Sequence, residues 1–162
     1  MIVRSWKTSL GVCTLALAML FASATPSFGF LDKTRFVAHL GVAYFCFHHW
    51  VLRPYEQGAF AAGAPHRISS IVKGGVALLF AVHEVRVAQR IADTSPDPLL
   101  HKLDGAVIAL AGTFAVVGAK LKAGDFNPQD VTSLTGSTGS LSAQATAAGA
   151  PIQDRPILVP GL

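Results

Sequence analysis

Between Leu99 and Leu121, large apolar residues recur at alternating spacings of three and four: Leu100, Leu103, Val107, Leu110, Phe114, Val117 and Leu121. An unbroken seam of this kind marks a helix that packs along its length against other helices. Its ends are written in the sequence as well. Asp97 is placed to cap the N-terminus ahead of Pro98, which suits the first helical position because no N–H is needed there. Lys120 and Lys122 stand where the helix dipole favours cations, and Gly124 can close the helix in a left-handed conformation.

Three further seams follow the same spacing. The first predicts a helix from Asp32 or Lys33 to Leu52, with Val37, Leu40, Tyr44, Phe47 and Val51 in the seam. Phe36, Ala43 and Trp50 broaden it, and Pro54 ends or kinks it for want of a backbone donor. Tyr55 to Ala64 reads as a linker, with Phe60 tucked onto the core. The second predicts a helix from Pro65 or Ser69 to Asp93, built on Ile68, Ile71, Leu78, Val82 and Val85, with Gly75 in one seam position. A mid-helix Gly74-Gly75 pair costs about 1 kcal/mol per residue relative to alanine. Such a pair points to a kink or to a close approach by a neighbour. The last seam is Val131, Leu134, Thr138, Leu141, Ala145 and Ala148, opened by Asn127 or Asp125 as cap. Glycine, serine and threonine lower the helicity of this stretch, so its helix depends on tertiary packing.

Four seams with short or moderate connections predict an all-α fold: an antiparallel up-down four-helix bundle over residues 32–148. Residues 149–162 follow as an extended tail containing Pro151, Pro156 and Pro160. Ile152, Ile157, Leu158, Val159 and Leu162 make the tail apolar. It either lies along the bundle or offers a contact to a protein partner.

The N-terminus changes the accounting of charge. Arg4 and Lys7 precede an apolar run from Leu10 to Phe21, and Ala22-Ser23-Ala24 fits a small-x-small cleavage site. Residues 1–24 therefore read as a signal peptide, with Ser27-Phe28-Gly29 as a second cleavage site that would extend it to residue 29. An uncleaved anchor is the alternative. Of the 13 basic and 9 acidic residues, 11 and 9 remain after cleavage, a net charge of +2. No cluster of Lys and Arg remains to track phosphates, which argues against a nucleic-acid partner. Only Cys46 of the two cysteines survives, so the exported protein holds no internal disulfide.

Histidines are the one hint of a site. At about 100° per residue, Arg35, His39, Val42, Cys46, His49 and Arg53 form a narrow stripe on the first helix. Cys46 and His49 share a face, and His39 lies two turns back. His83 or Glu84 on the second helix could complete a metal set if the helices face suitably. Haem held between His39 and His83 is a related arrangement. No Glu-x-x-His, His-Glu-x-x-His, Cys-x-x-Cys or Cys-x-x-Cys-His motif supports either one. Hydrogen-bonded histidines at a helix margin and an inert buried cysteine account for the same residues with fewer assumptions. Cys46 with His49 as base lacks an acyl-transfer signature, and Asp32, Glu56, Glu84 and Asp104 form no acid/base pair by spacing. His83-Glu84-Val85-Arg86 reads as a solvated ion-pairing face.

The sequence thus points to an exported, non-catalytic helical bundle with a structural or interaction role and no cofactor. Metal or haem binding is the second reading. A small membrane protein is the third, although the uncharged runs 36–52 and 105–119 fall short of the roughly 20 residues of a span. Composition generates one expectation for dynamics. Backbone amides of the fourth helix should exchange faster than those of the third in hydrogen–deuterium exchange, and equal protection would show that packing fully offsets its low propensity.

Overall fold

The computed structural model describes residues 28–162, and these are all-helical, with four long helices packed on one another. Helix α1 is Phe28–Phe47, followed by a π-helical turn, His48–Leu52, and by the single turn α2, Arg53–Glu56. Helices α3, α4 and α5 are Arg67–Thr94, Pro98–Ala123 and Pro128–Ala147. The signal peptide expected over residues 1–24 lies outside the described residues. Phe28 and Gly29, part of the second cleavage candidate, already belong to α1.

Helix α4 forms as its seam predicts. All seven seam residues are buried, and Phe114 meets the ring of Phe47 with centroids 6.2 Å apart. The Asp97 carboxylate accepts from the Leu99 N–H at 2.9 Å, and Gly124 takes the left-handed conformation with φ 78°. The next helix is tied to this one by a buried charge. Asp130 accepts from the Lys120 ammonium at 2.7 Å and from the Asn127 N–H at 2.9 Å. Asn127 returns a bond to the Asp130 N–H, completing a capping box that starts α5. The small and polar seam of α5 is buried from Val131 through Thr138 to Ala145.

Pro54 does not end the first helix at once. In a regular helix its ring would crowd the Trp50 carbonyl, four residues back. The chain widens there: the Arg53 N–H bonds to the His48 carbonyl, one residue beyond the α spacing, and the helix continues through Glu56. The Trp50 carbonyl lies against Gly74, where an added Cβ would stand 3.1 Å from it and equally close to Leu121. Gly75 gives similar room to the Lys122 stem, and Gly118 to Leu78. The glycine pair of α3 therefore serves a close approach.

Two expectations are corrected. Ile68, assigned to the α3 seam, is 76% exposed. Gly75 already faces Lys122, near the end of α4, so the first turns of α3 overhang with no α4 opposite them. The helix expected from Asp32 starts instead at Phe28, with Phe30 and Leu31 exposed.

The tail lies along the bundle. Val159 and Ala150 are buried, and Ile152, Ile157 and Leu162 pack on the core, while Leu158 is 97% exposed. The Arg155 N–H donates to the Gly41 carbonyl at 2.9 Å, and His48 Nδ1 donates to the Asp154 carboxylate at 2.8 Å. Between α1 and α5, the Tyr44 hydroxyl donates to the Thr138 carbonyl at 2.6 Å. Any side chain at Gly41 would overlap the Gln153 carbonyl. Gly41→Ala should displace the strap at a cost of about 1–3 kcal/mol. Residues 151–162 should become sensitive to limited proteolysis while α4 keeps its amide protection.

Candidate functional site

The histidine stripe of α1 is exposed at its two ends, Arg35 and Arg53, and half-buried to buried between them. Cys46 is fully buried, and His39 reaches α3, where its Nδ1 donates to the Glu84 carboxylate at 2.6 Å. This pair is half-buried between the two helices. Burial, and secondarily the negative Glu84, push the Cys46 thiol up from 9.0 to about 12. A thiol so placed stays protonated and is neither a nucleophile nor a ready metal ligand. Tyr44 is shifted upward as well, first by burial and then by the charge of Asp154.

The four metal candidates do not converge. His39 is engaged with Glu84, and Cys46 sits in the core. His49 stacks on Phe45 with ring centroids 5.0 Å apart. His83 lies in the groove between α3 and α4. The reason is helical geometry: consecutive residues project about 100° apart, so when Glu84 takes the place facing α1, His83 must turn toward α4. Among the described residues, no three His, Cys, Asp or Glu side chains gather as a metal site. The same geometry separates His39 from His83 as a pair of haem ligands.

The segment His83-Glu84-Val85-Arg86 is also not the solvated ion-pairing face that its composition suggests. Glu84 is turned to His39 and Val85 is fully buried. His83 and Arg86 line the α3–α4 groove, a depression of about 620 Å³. Leu79, Val82, Ala115 and Ala119 give it an apolar floor, and Lys122 stands at its far end. The groove continues past Arg86 to Gln89, Arg90 and Asp93. Among the described residues, Arg86, Arg90 and Lys122 enter no ion pair; the four pairs present all lie elsewhere. The groove was within reach of sequence reasoning, because Leu79, His83, Arg86 and Arg90 are spaced four, three and four apart on one stripe of α3. Its opposite wall comes from α4, which no spacing on α3 reveals.

Exposed large apolar residues gather on the same two helices. Ile68, Val72 and Leu79 lie on α3, and Ile108 and Val116 on α4. Both helices are long and apolar enough to cross a membrane, by length and composition, even though their strictly uncharged runs are shorter. Comparison of the chain with protein-family models, curated proteins and solved structures finds no match.

The upward shift of Cys46 fixes the sign of one alkaline effect. The folded state holds the thiol proton more tightly than the unfolded chain, so this stabilisation is complete below pH 9 and is lost as pH rises toward 12. In pH-dependent thermal melts, Cys46→Val should remove the decline that sets in near pH 9 and leave the Tyr44 decline that begins above pH 10. Alkylation of native Cys46 at pH 8 should be much slower than that of the denatured chain.

Proposed function

We propose that the protein is an exported, non-catalytic binding module. Its helices run up-down-up-down, and its outer α3–α4 face is the working surface. The order of contacts supports that topology. Lys33 lies near Asp97, His39 meets Glu84, and Trp50 lies by Gly74, so α1 and α3 run in opposite directions. Leu78 by Gly118 and Gly75 by Lys122 give the same relation for α3 and α4; Thr113 with Ser137 and Lys120 with Asp130 give it for α4 and α5.

The observation that supports the binding role is the exposed Leu79 set in one groove with Arg86 and Lys122, cations that enter no ion pair among the described residues. A water-exposed helix has no folding reason to keep Leu79 outside over an apolar floor beside Arg86 and Lys122. Among the described residues no acid–base or nucleophilic set suggests catalysis, and their cysteine, Cys46, is buried with its thiol held protonated.

Charge placement favours the water-soluble form over the membrane-spanning one. Leu78 is level with Gly118, so Arg86, eight residues on, falls level with Leu110, eight residues back. An exposed arginine therefore stands at the middle of the uncharged run of α4, where a lipid core would exclude it. The half-buried His39–Glu84 pair suits an aqueous bundle for the same reason.

The test uses protein from its native source. The mature N-terminus should be Thr25, and carbonate washing should release the protein from membranes. Hydroxyl-radical footprinting in the native fraction should show Leu79 and His83 severalfold less oxidised than in the purified protein. An intact Met1 with carbonate-resistant retention would support the membrane reading instead, and equal oxidation in both samples would remove the binding face.

A further inference from the structure

We infer that the α3–α4 groove binds a single-chain anionic amphiphile, a long-chain carboxylate, with its headgroup at Arg86 and its acyl chain over the apolar floor. This inference rests on the reading of the α3–α4 face as the binding surface and names its ligand class.

Charge complementarity gives the sign of the ligand. The titratable groups lining the groove proper are His83, Arg86 and Lys122, and no carboxylate is among them. Beyond Arg86, an adjoining depression is lined by one further cation, Arg90, and one acid, Asp93. Glu84, the nearest acid in sequence, is turned away and held by His39. Arg86 and Lys122, neither in an ion pair among the described residues, thus line one concavity. A guanidinium offers a carboxylate two parallel donors, which makes Arg86 the natural anchor.

The floor gives the rest of the ligand. Leu79 and Val82 face Ala115 and Ala119, and the small side chains of α4 leave the trough that the volume records. From Arg86 the groove runs back through Leu79 to the level of Gly75, where α4 ends and the Lys122 stem lies across it. That length of α3 spans about 16 Å at the helical rise, suited to an extended acyl chain. At the far end, the Lys122 stem lies over Gly75, so its methylenes add to the apolar surface while its ammonium stays in water. A volume of about 620 Å³ lies within the range typical of small-molecule sites. The chain's own N-terminal segment is a poor occupant, because Arg4 and Lys7 would bring more positive charge to a cationic rim.

The test is isothermal titration of the mature protein with dodecanoate below its micellar concentration. Dodecanol serves as the uncharged isostere, octanoate as the shorter chain, and anionic phospholipid vesicles as the surface. We expect one dodecanoate per chain, with octanoate weaker by roughly tenfold, about twofold per methylene for a half-open groove. Arg86→Gln should weaken dodecanoate about tenfold and leave octanoate-to-dodecanoate discrimination intact. Ala119→Phe, at an exposed position, should block the trough without changing the melting temperature. Equal affinity for dodecanol, or binding indifferent to both substitutions, would overturn the inference. Binding to vesicles with none to dodecanoate would overturn the acyl-chain ligand and keep the binding face. No binding to either, together with an unprotected footprint, would remove both.

Discussion

The close approach of α3 to α4 is the constraint on which the rest of the molecule depends. Gly74, Gly75 and Gly118 let side chains of the opposite helix come within a few ångströms of the backbone. A helix with two adjacent glycines is intrinsically costly, by about 1 kcal/mol per residue. The buried seam of α4 offsets that cost because both of its flanks are covered, one by α3 and the other by α5. The small-residue character has a second consequence on the outer side. Ala115 and Ala119 do not fill the space beside Leu79 and Val82, so tight packing within leaves a trough without. Core and groove therefore arise from the same choice of residues.

Polar groups inside the bundle fix how its parts meet. His39 with Glu84 sets α1 against α3, and Asp130 with Lys120 and Asn127 sets the α4–α5 corner. Tyr44 bridges to the Thr138 carbonyl from α1, on the side where the tail also packs. In the His39–Glu84 and Lys120–Asp130 pairs the partly buried charges have partners, as desolvation requires, whereas one carboxylate oxygen of Asp104 is buried without one. The tail completes that side by a backbone bond to Gly41 and an ion pair to His48. Its apolar residues are mostly core, with Leu158 the exception.

The stripes on α3 show how core packing and an open groove divide one helix. Residues 83 to 86 divide four side chains among three environments: His83 and Arg86 in the groove, Glu84 against α1, and Val85 in the core. Composition sees a mixed charged segment and reads a solvated face. The fold separates the charges, pairing the acid inside and leaving the bases outside. That separation makes the α3–α4 groove cationic although the chain as a whole carries a net charge of only +4.

Local signals were sufficient for the helices themselves. The seam of α4, its Asp97 cap, its Gly124 terminus and the Asn127 start of α5 were all legible, because capping and periodicity act within a few residues. The glycine pair announced a close approach, and the apolar tail announced a docking strand or a contact. Tertiary structure decided what local pattern does not contain. It left Ile68 in water because α4 ends too soon to cover it. It decided between a stop and a kink at Pro54, giving a widened turn in which the Trp50 carbonyl lies against Gly74. It separated His83 from His39 and joined His83 to a wall made by α4. Periodicity specifies which face of a helix is apolar, but the rotation and register of two helices depend on the shapes of both, and that information is held by neither strand of sequence alone.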